Sequence, residues 1–253
     1  MVSGKVLAQW SLAVALAVAA WLLPPIPQPL AYHQFADQSV CFGIPHCLDS
    51  VSNLPFILAG LAGLVFLASR AGREAFAERR EMLPYFLFFL ATVLVGFASG
   101  YYHLAPDNDR LVWDRAAIAV ALMSWFAAII GERVGTSWGL RLLPWLLAAG
   151  LGSVAYWSWS EAAGHGDLRP YGLIQLIPMV FVPLLLRLYP PRYSGDRHIL
   201  VVLAAYLLAL ACDFLDRPIA DLTGSVGGHT IKHLLAAGAA YWVVFMLKRR
   251  RAL

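Results

Sequence analysis

Charge is scarce in this chain. Asp, Glu, Lys and Arg make up 13% of its 253 residues, against about 25% in soluble domains. Cysteine is scarcer still, with three residues, which excludes a disulfide-dense secreted scaffold. The 20 glycines follow no three-residue period, which excludes a collagen-like chain. What fills the sequence is apolar: 60% of residues are hydrophobic and the mean hydropathy is +0.67. Such a chain is neither disordered nor an ordinary soluble domain. The expectation is an integral membrane protein, and the net charge of +4 is read as membrane topology rather than as a sign of a nucleic-acid partner.

A membrane-crossing helix needs roughly 20 mostly apolar residues. Eight runs qualify, at about 5–23, 53–69, 82–103, 111–131, 139–157, 170–188, 198–214 and 229–247. They are too long for barrel strands and lack two-residue alternation, so the expected fold is an all-α polytopic bundle. The division expected is an N-terminal anchor helix with a proline-rich exit over 1–30, followed by a seven-helix membrane domain over 31–253.

The basic residues set the expected orientation. Lys5, Arg70, Arg73, Arg79, Arg80, Arg133, Arg141, Arg187, Arg192, Arg197, Lys248, Arg249, Arg250 and Arg251 fall at one set of span ends, 14 of the 19 Lys and Arg residues. By the positive-inside rule those ends are cytoplasmic, as are both termini. Val6–Leu23 has the length of a signal-peptide core, but Ala17-Val18-Ala19 runs on into Ala20-Trp21-Leu22-Leu23 rather than a polar start, which favours a retained anchor. Pro24, Pro25, Pro27 and Pro29 then form a stiff, polyproline-like exit.

Polar groups at membrane depth are costly and mark functional sites by default. Here they gather at the outer end. Ser99 and His103 stand at i and i+4 on the third span, and Asp114 follows eleven residues after His103, across a break at Pro106-Asp107-Asn108. A short helical hairpin brings His103 and Asp114 to similar depth. The last span opens with His229-Thr230-Ile231-Lys232-His233, two imidazoles one turn apart on one face, which is a chelating spacing. A third His from a neighbouring helix leaves one position open for water, the pattern of catalytic rather than structural zinc sites. Asp114 can then move a proton and Ser99 can donate to a developing oxyanion.

Plainer readings apply to the surrounding residues. Asp114 can be an interfacial ion pair with Arg115. Lys232 is expected to face away from its flanking histidines and snorkel to headgroups. Asp213 and Asp216 are read as structural partners of Arg217 or Lys232, His33, His165 and His198 as solvated loop residues, and the tryptophans as an interfacial belt. Cys41 and Cys47 can close a small disulfide in the outer loop or remain free thiols, and Cys212 is expected to be inert.

At these residues the chain resembles a known family. Ser52-Asn53 opening a span, Gly96-Phe97-Ala98-Ser99-Gly100-Tyr101-Tyr102-His103 closing the next, Asp114, and His229 with His233 opening the last are together similar to the alkaline ceramidases. These belong to a superfamily of seven-helix metal-dependent hydrolases that includes the adiponectin-receptor-like proteins. The likeness covers roughly residues 37–247. It implies that His103, His229 and His233 bind zinc, that Asp114 transfers the proton and that Ser99 stabilises the oxyanion during hydrolysis of ceramide to a sphingoid base and a fatty acid. The family's calcium-binding Glu is matched here by His46. Asp37 and Asp49 remain as oxygen ligands, too few for the six to eight that Ca2+ prefers, so no calcium is expected. The extra first helix suggests a bacterial member with its site on the periplasmic side of the inner membrane. Alternatives with the same metal are a phospholipase or other acyl-lipid hydrolase, and a non-enzymatic lipid receptor or scaffold with structural zinc.

Overall fold

A computed structural model describes residues 4–253, apart from the side chains of Lys5 and Val6, so the expected placement of Lys5 lies outside the described residues. Helix α1 spans Gly4–Leu22. After the proline-rich exit, whose Pro29 has the polyproline-like angles φ −64° and ψ 128°, come a two-stranded ribbon, β1 (Val40–Cys41) and β2 (Ile44–Pro45), and α2 (Cys47–Val51). The remaining helices are α3 (Leu54–Ala68), α4 (Arg70–Glu74), α5 (Met82–Leu104), α6 (Asn108–Arg133), α7 (Thr136–Ala162), α8 (Arg169–Leu188), α9 (Asp196–Phe214), α10 (Asp216–Thr223) and α11 (Gly228–Arg249).

Among the described residues, seven helical segments are long and apolar enough to cross a membrane, beginning with the continuous Cys47–Ala68 and ending with Gly228–Arg249. The chain is an all-α polytopic membrane bundle. The seven agree with the last seven runs read from the sequence, and α1, whose described apolar part is Leu7–Leu22, packs on α8. Two short helices at the histidine end of the bundle, α2 and α10, are absent from the sequence reading. Both are too short for periodicity to reveal.

Local chemistry explains the break that matters for the site. Ala105 ends α5 in an extended conformation, as the residue before Pro106 must. Asp107 then caps α6, its carboxylate accepting from the Arg110 amide at 2.7 Å, as an N-cap side chain does. The resulting tight hairpin packs α5 along α6. Helix α11 sits between α3 and α9, and its start is held close by Gly228: a Cβ there would lie 2.1 Å from the Cys212 carbonyl oxygen. Only glycine lets the last helix begin against the end of α9.

The apolar core lies between these helices, with Phe88, Phe89, Trp125, Ile129, Phe181 and Val243 buried together. Trp125 and Trp157 are buried in the bundle rather than placed in a belt, because their large rings fill interhelical space. The end of the bundle opposite the histidines carries its own polar network. There Glu132 pairs with Arg250 and accepts from the Tyr85 hydroxyl at 2.7 Å, while Arg133 pairs with Asp196.

Candidate metal centre

Helix geometry delivers three imidazoles to one point. His103 comes from the last turn of α5, and His229 and His233 from the first turns of α11. One ring nitrogen from each lies within 4.8 Å of the others, so this buried group could hold a metal ion. The rings meet edge to face, with centroids 4.6–5.1 Å apart.

Hydrogen bonding at the back of the rings leaves nitrogen lone pairs for that point. His229 Nδ1 lies 2.7 Å from Asp213 Oδ1, so its N–H donates to a carboxylate. His233 Nδ1 lies 2.8 Å from Ser52 Oγ and 3.2 Å from the Asp49 carbonyl. Ser52 itself donates to that carbonyl, and together these fix the His233 tautomer. Both Nε2 atoms are thereby left as acceptors, that of His229 facing the Lys232 ammonium at 3.3 Å as well as the shared point, and carbonyl and carboxylate partners of this kind orient metal-binding histidines. His103 is fully buried, and neither of its ring nitrogens has a hydrogen-bond partner. Leaving a buried polar atom unpaired costs about 1–3 kcal/mol, a penalty that ligation relieves. The donor set therefore fits a divalent ion that accepts imidazole nitrogen.

The other predicted site residues line one cavity of about 310 Å³ that runs from this cluster into the apolar interior. Ser99 Oγ lies 3.5 Å from His233 Nε2. Asp114 is buried, and its Oδ1 has no hydrogen-bond partner. The deeper wall is apolar, with Phe88, Val95, Met179 and Leu203.

Several expectations are corrected. Lys232 turns inward, its Nζ 3.2 Å from Asp213 Oδ1 and 3.3 Å from His229 Nε2, because Asp213 of α9 stands at the same depth and draws the ammonium in. Asp114 and Arg115 form no ion pair among the described residues, since adjacent positions on a helix do not face each other. His33 is not a solvated loop residue: its Nε2 lies 3.0 Å from Asn108 Oδ1 and its Nδ1 2.8 Å from the Tyr102 hydroxyl. Asp216 pairs with backbone, accepting from the amides of Ala36 at 2.8 Å and His229 at 2.9 Å. Arg217 donates to the Gln34 carbonyl.

Phe35, which sequence reasoning missed, and residues given other or open roles there complete the centre. Phe35, from the loop after α1, covers it with ring centroids 4.6 Å from His103 and 4.5 Å from His229. Asp49 of α2 accepts from the Thr230 hydroxyl at 2.5 Å, tying α2 to α11. Asp37 receives the Asp49 amide at 3.0 Å and the Ser39 hydroxyl at 2.6 Å. Burial raises the Asp37 carboxyl, but these hydrogen bonds outweigh it and hold the group below the ordinary carboxylate range. Cys41 and Cys47 form a disulfide that closes the ribbon leading into α2. Residue spacing alone carried no signal for Phe35 or Asp213, which reach the cluster from distant parts of the chain.

No protein-family model matches the sequence, and no curated protein is significantly similar to it.

Proposed function

We propose that the protein is a zinc-dependent lipid amide hydrolase of the alkaline ceramidase type, cleaving ceramide to a sphingoid base and a fatty acid. The observation that carries this reading is the meeting of three buried imidazoles, one of them with both nitrogens unpartnered, beside a largely apolar cavity that also contains Asp114 and Ser99. A structural metal site would have no need for a buried carboxylate with an unpaired oxygen next to a largely apolar cavity.

His103, His229 and His233 would hold the ion. Bound there, zinc supplies Lewis acidity that polarises a carbonyl and makes water nucleophilic near neutral pH. The chain's own groups do the rest. The apolar wall takes the lipid tail and excludes water, as ligand cavities do. Ser99 donates its hydroxyl to the carbonyl oxygen as negative charge develops there. Asp114 takes a proton from the attacking water as its oxygen bonds the carbonyl carbon, then delivers one to the amide nitrogen as the C–N bond breaks. Asp213 and the Asp49 carbonyl keep the rings of His229 and His233 in register throughout.

The same chemistry serves esters, so a phospholipase is the second enzymatic reading. The polarity of the span ends supports a site near the outer leaflet with both termini in the cytoplasm, and in a bacterium this is the periplasmic face of the inner membrane. The test is direct. Purified protein is incubated with ceramides and phospholipids alongside His233→Ala and Asp114→Asn. Ceramide turnover by the wild type, with Asp114→Asn folded, metal-bound and inactive, is the expected result. Full turnover by Asp114→Asn removes the proton-transfer role, and no turnover of any ceramide by the metal-loaded wild type removes the amidase reading.

A further inference from the structure

Arg115 follows Asp114 on α6, lines the same cavity and is 6% exposed. A guanidinium so deeply buried ordinarily meets a carboxylate, yet Arg115 forms no ion pair among the described residues. It is held by aromatic faces instead. Its guanidinium carbon lies 4.1 Å from the Trp157 ring centroid, 5.0 Å from Tyr171 and 5.7 Å from Tyr32. Nη2 donates to the Gln28 side-chain oxygen, while Nη1 is buried with no partner.

The other charges in the cavity wall act on it only through space, Asp114 among them. Lys232 and Asp213 are paired with each other, and Asp114 projects from the neighbouring helix position without bonding Arg115. A guanidinium with an unpartnered Nη1 is thus built into the wall of a largely apolar chamber. Aromatic stacking and one amide hold the guanidinium in place, which is how an oxyanion receptor is preorganised.

We propose that Arg115 is an anion-receiving subsite, so that the cavity binds amphiphiles carrying a carboxylate on an apolar chain. The inference deepens the hydrolase reading and takes from it the acyl nature of the ligand. Two sources share this chemistry: the fatty acid released by hydrolysis, and an N-acyl amino acid whose head group is itself anionic.

The test is equilibrium binding to the full-length protein in detergent, needing no turnover. Four probes of equal chain length are compared at a pH where carboxyls are ionised: palmitate, N-palmitoylglycine, hexadecanol and N-palmitoylethanolamine. At least one carboxylate should bind about tenfold or more tightly than its neutral counterpart, and Arg115→Gln should abolish that preference while leaving the neutral probes unchanged. A preference confined to palmitate assigns the subsite to the released acid, and one that includes N-palmitoylglycine extends it to an anionic head group. Equal binding of acids and neutral probes by the wild type overturns the proposal, as does a preference that survives in Arg115→Gln. Chelator-treated protein is measured in parallel, because loss of the preference on metal removal would assign the anion to the metal and contradict the Arg115 subsite. If Arg115→Gln does not fold, the chelated wild type with the four probes still decides. Failure of ceramide hydrolysis leaves every arm of this measurement readable.

Discussion

His229 Nδ1 and Asp213 Oδ1 lie 2.7 Å apart, joining the first turn of α11 to the last turn of α9. The carboxylate orients the ring and fixes which nitrogen carries the proton. Loss of such an outer partner typically lowers metal affinity by 10–100-fold, roughly. Asp213→Asn, similar in shape, is therefore expected to bind zinc about 10-fold or more weakly in a chelator competition while keeping the wild-type helical content. Unchanged affinity would show that the pair is only a structural ion contact.

Phe35 covers two of the three imidazoles from the loop after α1. Truncating a buried phenylalanine costs about 3–5 kcal/mol, and here it also opens the centre to water. Phe35→Ala should lower the unfolding midpoint and speed extraction of the metal by an external chelator. Extraction at the wild-type rate would mean that the ring contributes packing without controlling access.

At the opposite end, Glu132 neutralises the buried Arg250 and accepts from Tyr85. Removing one member of a buried ion pair strands the other charge, at a cost of about 3–5 kcal/mol. Glu132→Gln is expected to destabilise the bundle and leave the zinc stoichiometry of the folded fraction unaltered. A matching loss of metal from folded protein would reveal coupling between the two ends.

The Cys41–Cys47 disulfide closes a short loop that feeds α2, which carries Asp49. By chain entropy a loop of this size contributes about 2 kcal/mol. The double variant Cys41→Ser, Cys47→Ser should melt a few degrees lower, and the reducing agent that lowers the wild-type midpoint should leave the variant's unmoved. Equal sensitivity of both proteins to the reductant would remove the bond from the stability of this loop.

Much of this architecture was legible in the sequence because its signals are local. Apolar run length marked eight runs, the last seven of which are the segments long and apolar enough to cross a membrane among the described residues, and the i, i+4 spacing of His229 and His233 placed them on one face. Alternation of the spans carried His103 to the same end as that pair. What stayed hidden depends on contacts between distant segments. The pairing of Asp213 with Lys232 was among the expected ones, but nothing in the order of residues said that Asp213 would also meet His229, or that Phe35 would fold back over the rings. Arg115 looked like a partner for Asp114 because the two are adjacent. The helix instead turns one toward the aromatic rings of α7 and α8, leaving Asp114 Oδ1 in the cavity wall without a hydrogen-bond partner.

The most direct measurement is the metal content of purified protein loaded with zinc and washed free of excess. A single tightly held ion per wild-type chain is expected, with its loss in His103→Ala while that variant is still folded by circular dichroism. A wild-type chain that retains no metal, or a His103→Ala chain that retains as much as the wild type, would contradict the three-histidine metal centre.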